Sequence, residues 1–207
     1  MNSRAPAPPA HHVGTDPTDT VRVRIDGTAT DAQVTLEPGW RTELPPDRLG
    51  DAVRQAFTAA TVARLTAWAE GPSPTAARPQ TPHGAGGSRP PTREAVDALT
   101  RAWRDVREFA LRLTELNAAV RTAASPGALA TATVRGGQLV ALDVQPAWGR
   151  VAADDDLEHH LGHALRAALN LIATTPQQAL DGCPDLVAAL AGSTMPLPFP
   201  VPPPPGS

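Results

Sequence analysis

Three histidines, His159, His160 and His163, raise the question of a metal, because on a helix His159 and His163 stand one turn apart, a spacing at which two imidazoles can share a zinc ion. A third ligand would have to come from Asp155, Asp156 or elsewhere, and the HExxH pattern that adds a general base is missing. The three therefore read as surface histidines, and no metal is expected. Asp154-Asp155-Asp156 reads as acid placed at the positive end of a helix dipole, since it lacks the alternating ligands and turn glycine of a calcium loop. The one cysteine, Cys183, has no disulfide partner and no ligand spacing around it, so it reads as a structural thiol. There is no glycine-rich phosphate loop after a strand, no GxSxG elbow, no cysteine–histidine pairing and no tyrosine. Neither catalysis nor a cofactor is expected.

Cation chemistry is better represented. All 18 basic residues are arginine, and with abundant Ala, Pro and Gly this reads as the coding bias of a GC-rich, bacterial genome. Arg22 and Arg24 alternate on the polar side of an expected strand, and Arg101, Arg104, Arg107 and Arg112 lie on the outside of an expected helix. The guanidinium fork can bond two phosphate oxygens at once, and cations spaced along one surface displace counterions from DNA. These six are the candidate DNA contacts. The competing use is a salt-bridged, solvated face, because residues 92–121 carry six arginines and five acids. A net charge of -3 removes the bulk basicity of a nucleic-acid binder. Trp40 and Trp148 could stack on bases, but beside Pro38 and Pro146 they read as plugs for the open end of a core.

The elements that must hold these residues are marked off by proline. Residues 1–20 read as a disordered leader, 71–91 as a Pro/Gly linker and 193–207 as a Pro-rich tail of extended polyproline type. That leaves 21–70 and 92–192. No h-region opens the chain and no run approaches 18 apolar residues, so a cytoplasmic protein without a membrane span is expected.

The two remaining blocks repeat each other. Val21–Ile25 alternates apolar and charged, Asp26-Gly27 supplies a turn, and Ala32, Val34 and Leu36 alternate again. Ala130–Val134, Gly136-Gly137 and then Val140, Leu142 and Val144 have the same form. Pro38-Gly39-Trp40 matches Pro146-Ala147-Trp148 at an offset of 108, which also carries Leu49, Val53, Ala56 and Ala60 onto Leu157, Leu161, Ala164 and Ala168. The fold class expected is α+β: two units, each a short antiparallel β-meander and a helix. A long helix, Thr92–Arg121, precedes the second unit. Thr92 is its N-cap, and Val96, Leu99, Trp103, Val106, Ala110, Leu113 and Val120 form a coiled-coil-like stripe. Asp97 with Arg101, Arg104 with Glu108, and Glu108 with Arg112 are i,i+4 pairs.

Helix, strands, then helix is the order of the YbaB/EbfC family of nucleoid-associated proteins. Val21-Arg22-Val23-Arg24-Ile25-Asp26-Gly27, Val34-Thr35-Leu36-Glu37-Pro38 and Leu49-Gly50-Asp51-Ala52-Val53-Arg54-Gln55-Ala56-Phe57 carry the likeness, and residues 92–172 resemble one complete subunit. Residues 21–70 are then a first unit lacking its first helix, and 92–192 a second, complete one. The resemblance implies a dimer whose strands share a sheet and whose helices project as arms binding duplex DNA, weakly and salt-sensitively, with little sequence preference. Two copies in one chain would make a pseudo-dimer internally, with a homodimer as the other arrangement. The alternative function is a protein-interaction or assembly module that uses the long helix and the Pro-rich tail.

Overall fold

The computed structural model describes residues 11–70 and 93–192. They form a mixed α+β structure with two three-stranded antiparallel sheets. The first sheet holds β1 (His11–Thr15), β2 (Val21–Asp26) and β3 (Ala32–Leu36) in that order. A single turn of helix, α1 (Trp40–Glu43), leads to α2 (Leu49–Glu70). After α3 (Arg93–Ala118) the second sheet follows as β4 (Arg121–Ala124), β5 (Ala130–Arg135) and β6 (Gln138–Val144). Then come another single turn, α4 (Pro146–Gly149), and helices α5 (Asp154–Leu180) and α6 (Pro184–Gly192). The linker and tail lie outside the described residues.

Each sheet buries one side. Val21, Val23 and Ile25 on β2 and Ala130, Ala132 and Val134 on β5 are buried, while the residues between them face outward, as a period of two requires. The helix positions that repeat at 108 close over these faces: Leu49, Val53, Ala56 and Ala60 on α2, and Leu157, Leu161, Ala164 and Ala168 on α5, are all buried in one shared core. That helical spacing is therefore the packing stripe of each element.

The leader expected over 1–20 is corrected across its second half, since His11–Thr15 is a strand paired with β2, Val13 opposite Arg24. Its inward residue is Gly14, packed so closely on α2 that a Cβ there would overlap the Ala60 amide nitrogen and the Ala56 carbonyl oxygen. A strand whose buried position is glycine shows no apolar alternation, which is why it reads as leader. The long helix is corrected as well. It stops at Ala118, the Asn117 carbonyl accepts from the Gly136 amide at 2.8 Å, and Arg121–Ala124 pairs with β5 as an edge strand. Thr92, the expected cap, lies outside the described residues. Among the described residues the six strands make two separate sheets and not the shared sheet implied by the resemblance.

The first β-hairpin of each sheet closes in the same way. The Val21 amide bonds the Asp16 carboxylate at 2.7 Å, and the Ala130 amide bonds Ser125 Oγ at 3.0 Å. Here the offset is 109. Counted between the paired residues Ile25 and Ala32 and their counterparts Val134 and Leu139, the second turn is two residues shorter, and a bulge that takes in Val140 restores one of them, so the offset becomes 108.

Asp26 sits at the β2–β3 turn. Partial burial raises its carboxyl pKa, but the amides of Asp31 and Thr30 and the hydroxyls of Thr28 and Thr30 outweigh that and hold it at about 2. A depressed folded-state value stabilises the protein above the unfolded value of 3.8, and that stability is lost as pH falls through about 2. Thermal melts between pH 5 and pH 2 should show the wild-type midpoint falling more steeply than that of Asp26→Asn; parallel curves would refute the assignment.

The described residues divide into two compact units that cut across the sequence halves: 11–70 with Asn117–Thr174, and 93–116 with 175–192. The first contains both sheets. The second contains most of α3, the end of α5, and α6.

Candidate functional site

Within the first unit, each sequence half reaches across to the other. The Trp40 indole N–H donates to Asp154 at 3.0 Å, Arg41 pairs with the same carboxylate and reaches the Ala152 carbonyl at 2.6 Å, and the Leu36 amide bonds Glu158 Oε1 at 2.7 Å. The Trp40 hydrogen bond and the Arg41 charge hold the Asp154 carboxyl below its usual range. Asp154 of the acidic triplet thus has a structural role beyond the helix dipole. Arg166 faces Asp31 at 3.5 Å.

Two clefts mark these crossings. One, of about 460 Å³, lies between Asp47, Gly50 and Asp51 and residues Ala141, Leu142 and Asp143 of β6. The other, of about 300 Å³, lies between Asp155, Glu158 and His159 and residues Gln33, Val34 and Thr35 of β3. Every one of these positions maps onto its counterpart at 108. The clefts are thus the seams where the helix of one half meets the edge strand of the other.

The chemistry-bearing residues are placed as follows. Among the described residues no group of three or more His, Cys, Asp or Glu could hold a metal ion. His160 is turned toward Ser125 Oγ at 3.1 Å and stands edge-on to Trp148, ring centroids 5.2 Å apart. His159 lines the smaller cleft, and His163 keeps its Nδ1 buried. Cys183 is buried, and burial together with the nearby Asp105 carboxylate pushes its thiol pKa up, away from reactivity. Trp40 is fully buried and Trp148 half-buried on the core, so both pack, though with different polar partners.

The six candidate arginines divide between the units. Arg22 and Arg24 lie on the outer face of β2, and Arg22 pairs with Glu37 at 3.2 Å. On α3, Arg112 pairs with Glu108 at 2.9 Å and Arg101 with Asp185 of α6 at 3.5 Å. Of the expected i,i+4 pairs, Glu108–Arg112 forms, while Arg101 turns to Asp185. Arg24, Arg104 and Arg107 are exposed and have no ion pair among the described residues.

In the second unit, α3 meets α6 through polar groups. Asp105 accepts from the amides of Asp185 at 2.8 Å and Leu186 at 3.1 Å, capping α6 from another helix. Arg112 lies over Gly182 so closely that a Cβ there would overlap its guanidinium. The half-buried side of α3 is accordingly Ala102, Asp105, Phe109, Arg112, Leu113 and Leu116, so of the expected stripe Leu113 turns inward, Ala110 is exposed, and the Leu99 side chain lies outside the described residues. About a third of a turn away stand three other residues of that stripe: Val96 is 47% exposed, Trp103 65% and Val106 37%. Sequence reasoning missed a similar row on the last turns of α2, Val62, Leu65 and Trp68, the last 81% exposed. Its signal was the apolar three-residue spacing that continues past Ala60, the last repeated position.

Comparison with known proteins finds no family, no curated protein and no solved structure that matches this chain. Among the described residues no helix is long and apolar enough to cross a membrane.

Proposed function

We propose that this protein is a non-catalytic protein-interaction module whose docking surface is the exposed apolar stripe of α3. The observation that carries this reading is Trp103, a large indole left 65% exposed in line with Val96 and Val106 on a well-formed helix. Exposed aromatic groups set among aliphatic ones are the common anchors of protein interfaces. The frame behind it is read as two diverged YbaB/EbfC-like units forming a pseudo-dimer within one chain. The two clefts corresponding at 108, and the crossing bonds from Trp40, Arg41 and Leu36, support that reading.

A second reading is a nucleoid-associated, cytoplasmic DNA binder with little sequence specificity. Arg24, Arg104 and Arg107, exposed and without an ion pair among the described residues, favour it. Against it, Arg22, Arg101 and Arg112 are already held by acids, which reduces the charge available to phosphates.

A photo-crosslinker placed at position 103 or at position 24, in separate variants, tests the choice in the producing cell. Adducts to a second polypeptide, and not only within the chain, from position 103 and none to DNA from position 24 are expected. A gel shift on random duplex DNA should show no retardation at about 50 mM salt. Retardation that fades with salt and weakens in Arg104→Ala/Arg107→Ala would overturn the assembly reading in favour of DNA.

A further inference from the structure

We propose that the Pro-rich tail of the same chain, residues 193–207, covers the α3 stripe at Val96, Trp103 and Val106. The inference rests on reading that stripe as a docking surface, and it names the first occupant. Three observations select the tail. The first is its chemistry. Residues 193–207 contain no charged side chain, and Met195, Leu197, Phe199 and Val201 alternate with prolines. In a polyproline helix of about three residues per turn, residues two apart point in different directions, so such a segment shows apolar groups on every edge. Proline-rich segments are recognised by aromatic side chains, and Trp103 is the aromatic side chain of this stripe.

The second is where the described chain ends. Helix α6 starts at the Asp105 cap on α3 and closes at Gly192, which therefore lies within about 13 Å of that cap, the length of a nine-residue helix. From Met195 onward the segment spans on the order of 40 Å when extended. That is ample to pass around a helix about 10 Å across.

The third is area. Trp103 with two half-exposed valines offers roughly 300 Å². A second copy would need about 800 Å² from each partner for a stable interface. A tethered segment acts at an effective concentration near the millimolar range, so a small surface holds it.

The test uses the full chain with its four tryptophan indole N–H signals resolved by NMR. In Leu197→Ser/Phe199→Ser the Trp103 signal should move while those of Trp40, Trp68 and Trp148 stay, and the movement should be the same after tenfold dilution. A Trp103 signal that ignores the tail substitutions yet broadens with a soluble paramagnetic agent overturns the tail docking and leaves the interaction reading standing. A signal that ignores them and is shielded at every dilution overturns both. A shift that depends on dilution assigns the stripe to a second copy and overturns the inference.

Discussion

Gly50→Ala is expected to destabilise the protein by about 3 kcal/mol. Helix propensity alone predicts the opposite, a gain of up to about 1 kcal/mol, because Gly50 lies inside α2. The reversal comes from β6. A Cβ at Gly50 would overlap the Leu142 carbonyl oxygen and stand 3.0 Å from its carbon, and both are backbone atoms of a strand already paired to β5. The strand cannot yield without loosening its ladder, so the helix must back away from the core. Gly162→Ala on α5 is the control, since its Cβ would meet the nearest atom, the Ala32 carbonyl oxygen, at an ordinary 3.5 Å. It should be neutral or stabilising by up to about 1 kcal/mol. Urea denaturation of the three proteins reads both effects, and equal midpoints for Gly50→Ala and wild type would refute the packing of α2 on β6.

Gly14→Val should cost at least as much. Its side chain would run into the Ala56 carbonyl and the Ala60 amide, and a Cβ alone would come within 2.8 Å of the Ala59 carbonyl carbon. Separation of β1 from α2 exposes the Phe57 and Ala60 surface, and a loss of about 3 kcal/mol or more is expected. Val13→Thr, on the outward side of the same strand, where Val13 is exposed, should change stability by less than about 0.5 kcal/mol. If both substitutions were harmless, residues 11–15 would be a leader after all.

These two glycines show where the sequence could be read and where it could not. The β2–β3 and β5–β6 hairpins announce themselves by alternation, and the stripes Leu49-Val53-Ala56-Ala60 and Leu157-Leu161-Ala164-Ala168 by helical spacing, because in each the apolar side chains themselves do the packing. Strands β1 and β4 are nearly silent. Their buried residues are Gly14 and Ala123, which contribute backbone proximity rather than a side chain that a pattern could register. The inner side of α3 is only partly legible, for a related reason. Asp105 and Arg112 occupy it because Asp105 caps α6 and Arg112 covers Gly182, contacts some 70 to 80 residues away along the chain. The arginines behave likewise. Their types and spacing are visible in sequence, but that Glu37 and Asp185 hold Arg22 and Arg101 is settled by the fold.

The unequal pair at one repeat position, Gly50 in front and Glu158 behind, makes the halves non-interchangeable. Glycine admits the β6 backbone, whereas the glutamate reaches the Leu36 amide. A polypeptide assembled from two front halves would lack the carboxylate, and one assembled from two rear halves would set a side chain against the strand. Like a left and a right glove, each half fits the other and not a second copy of itself.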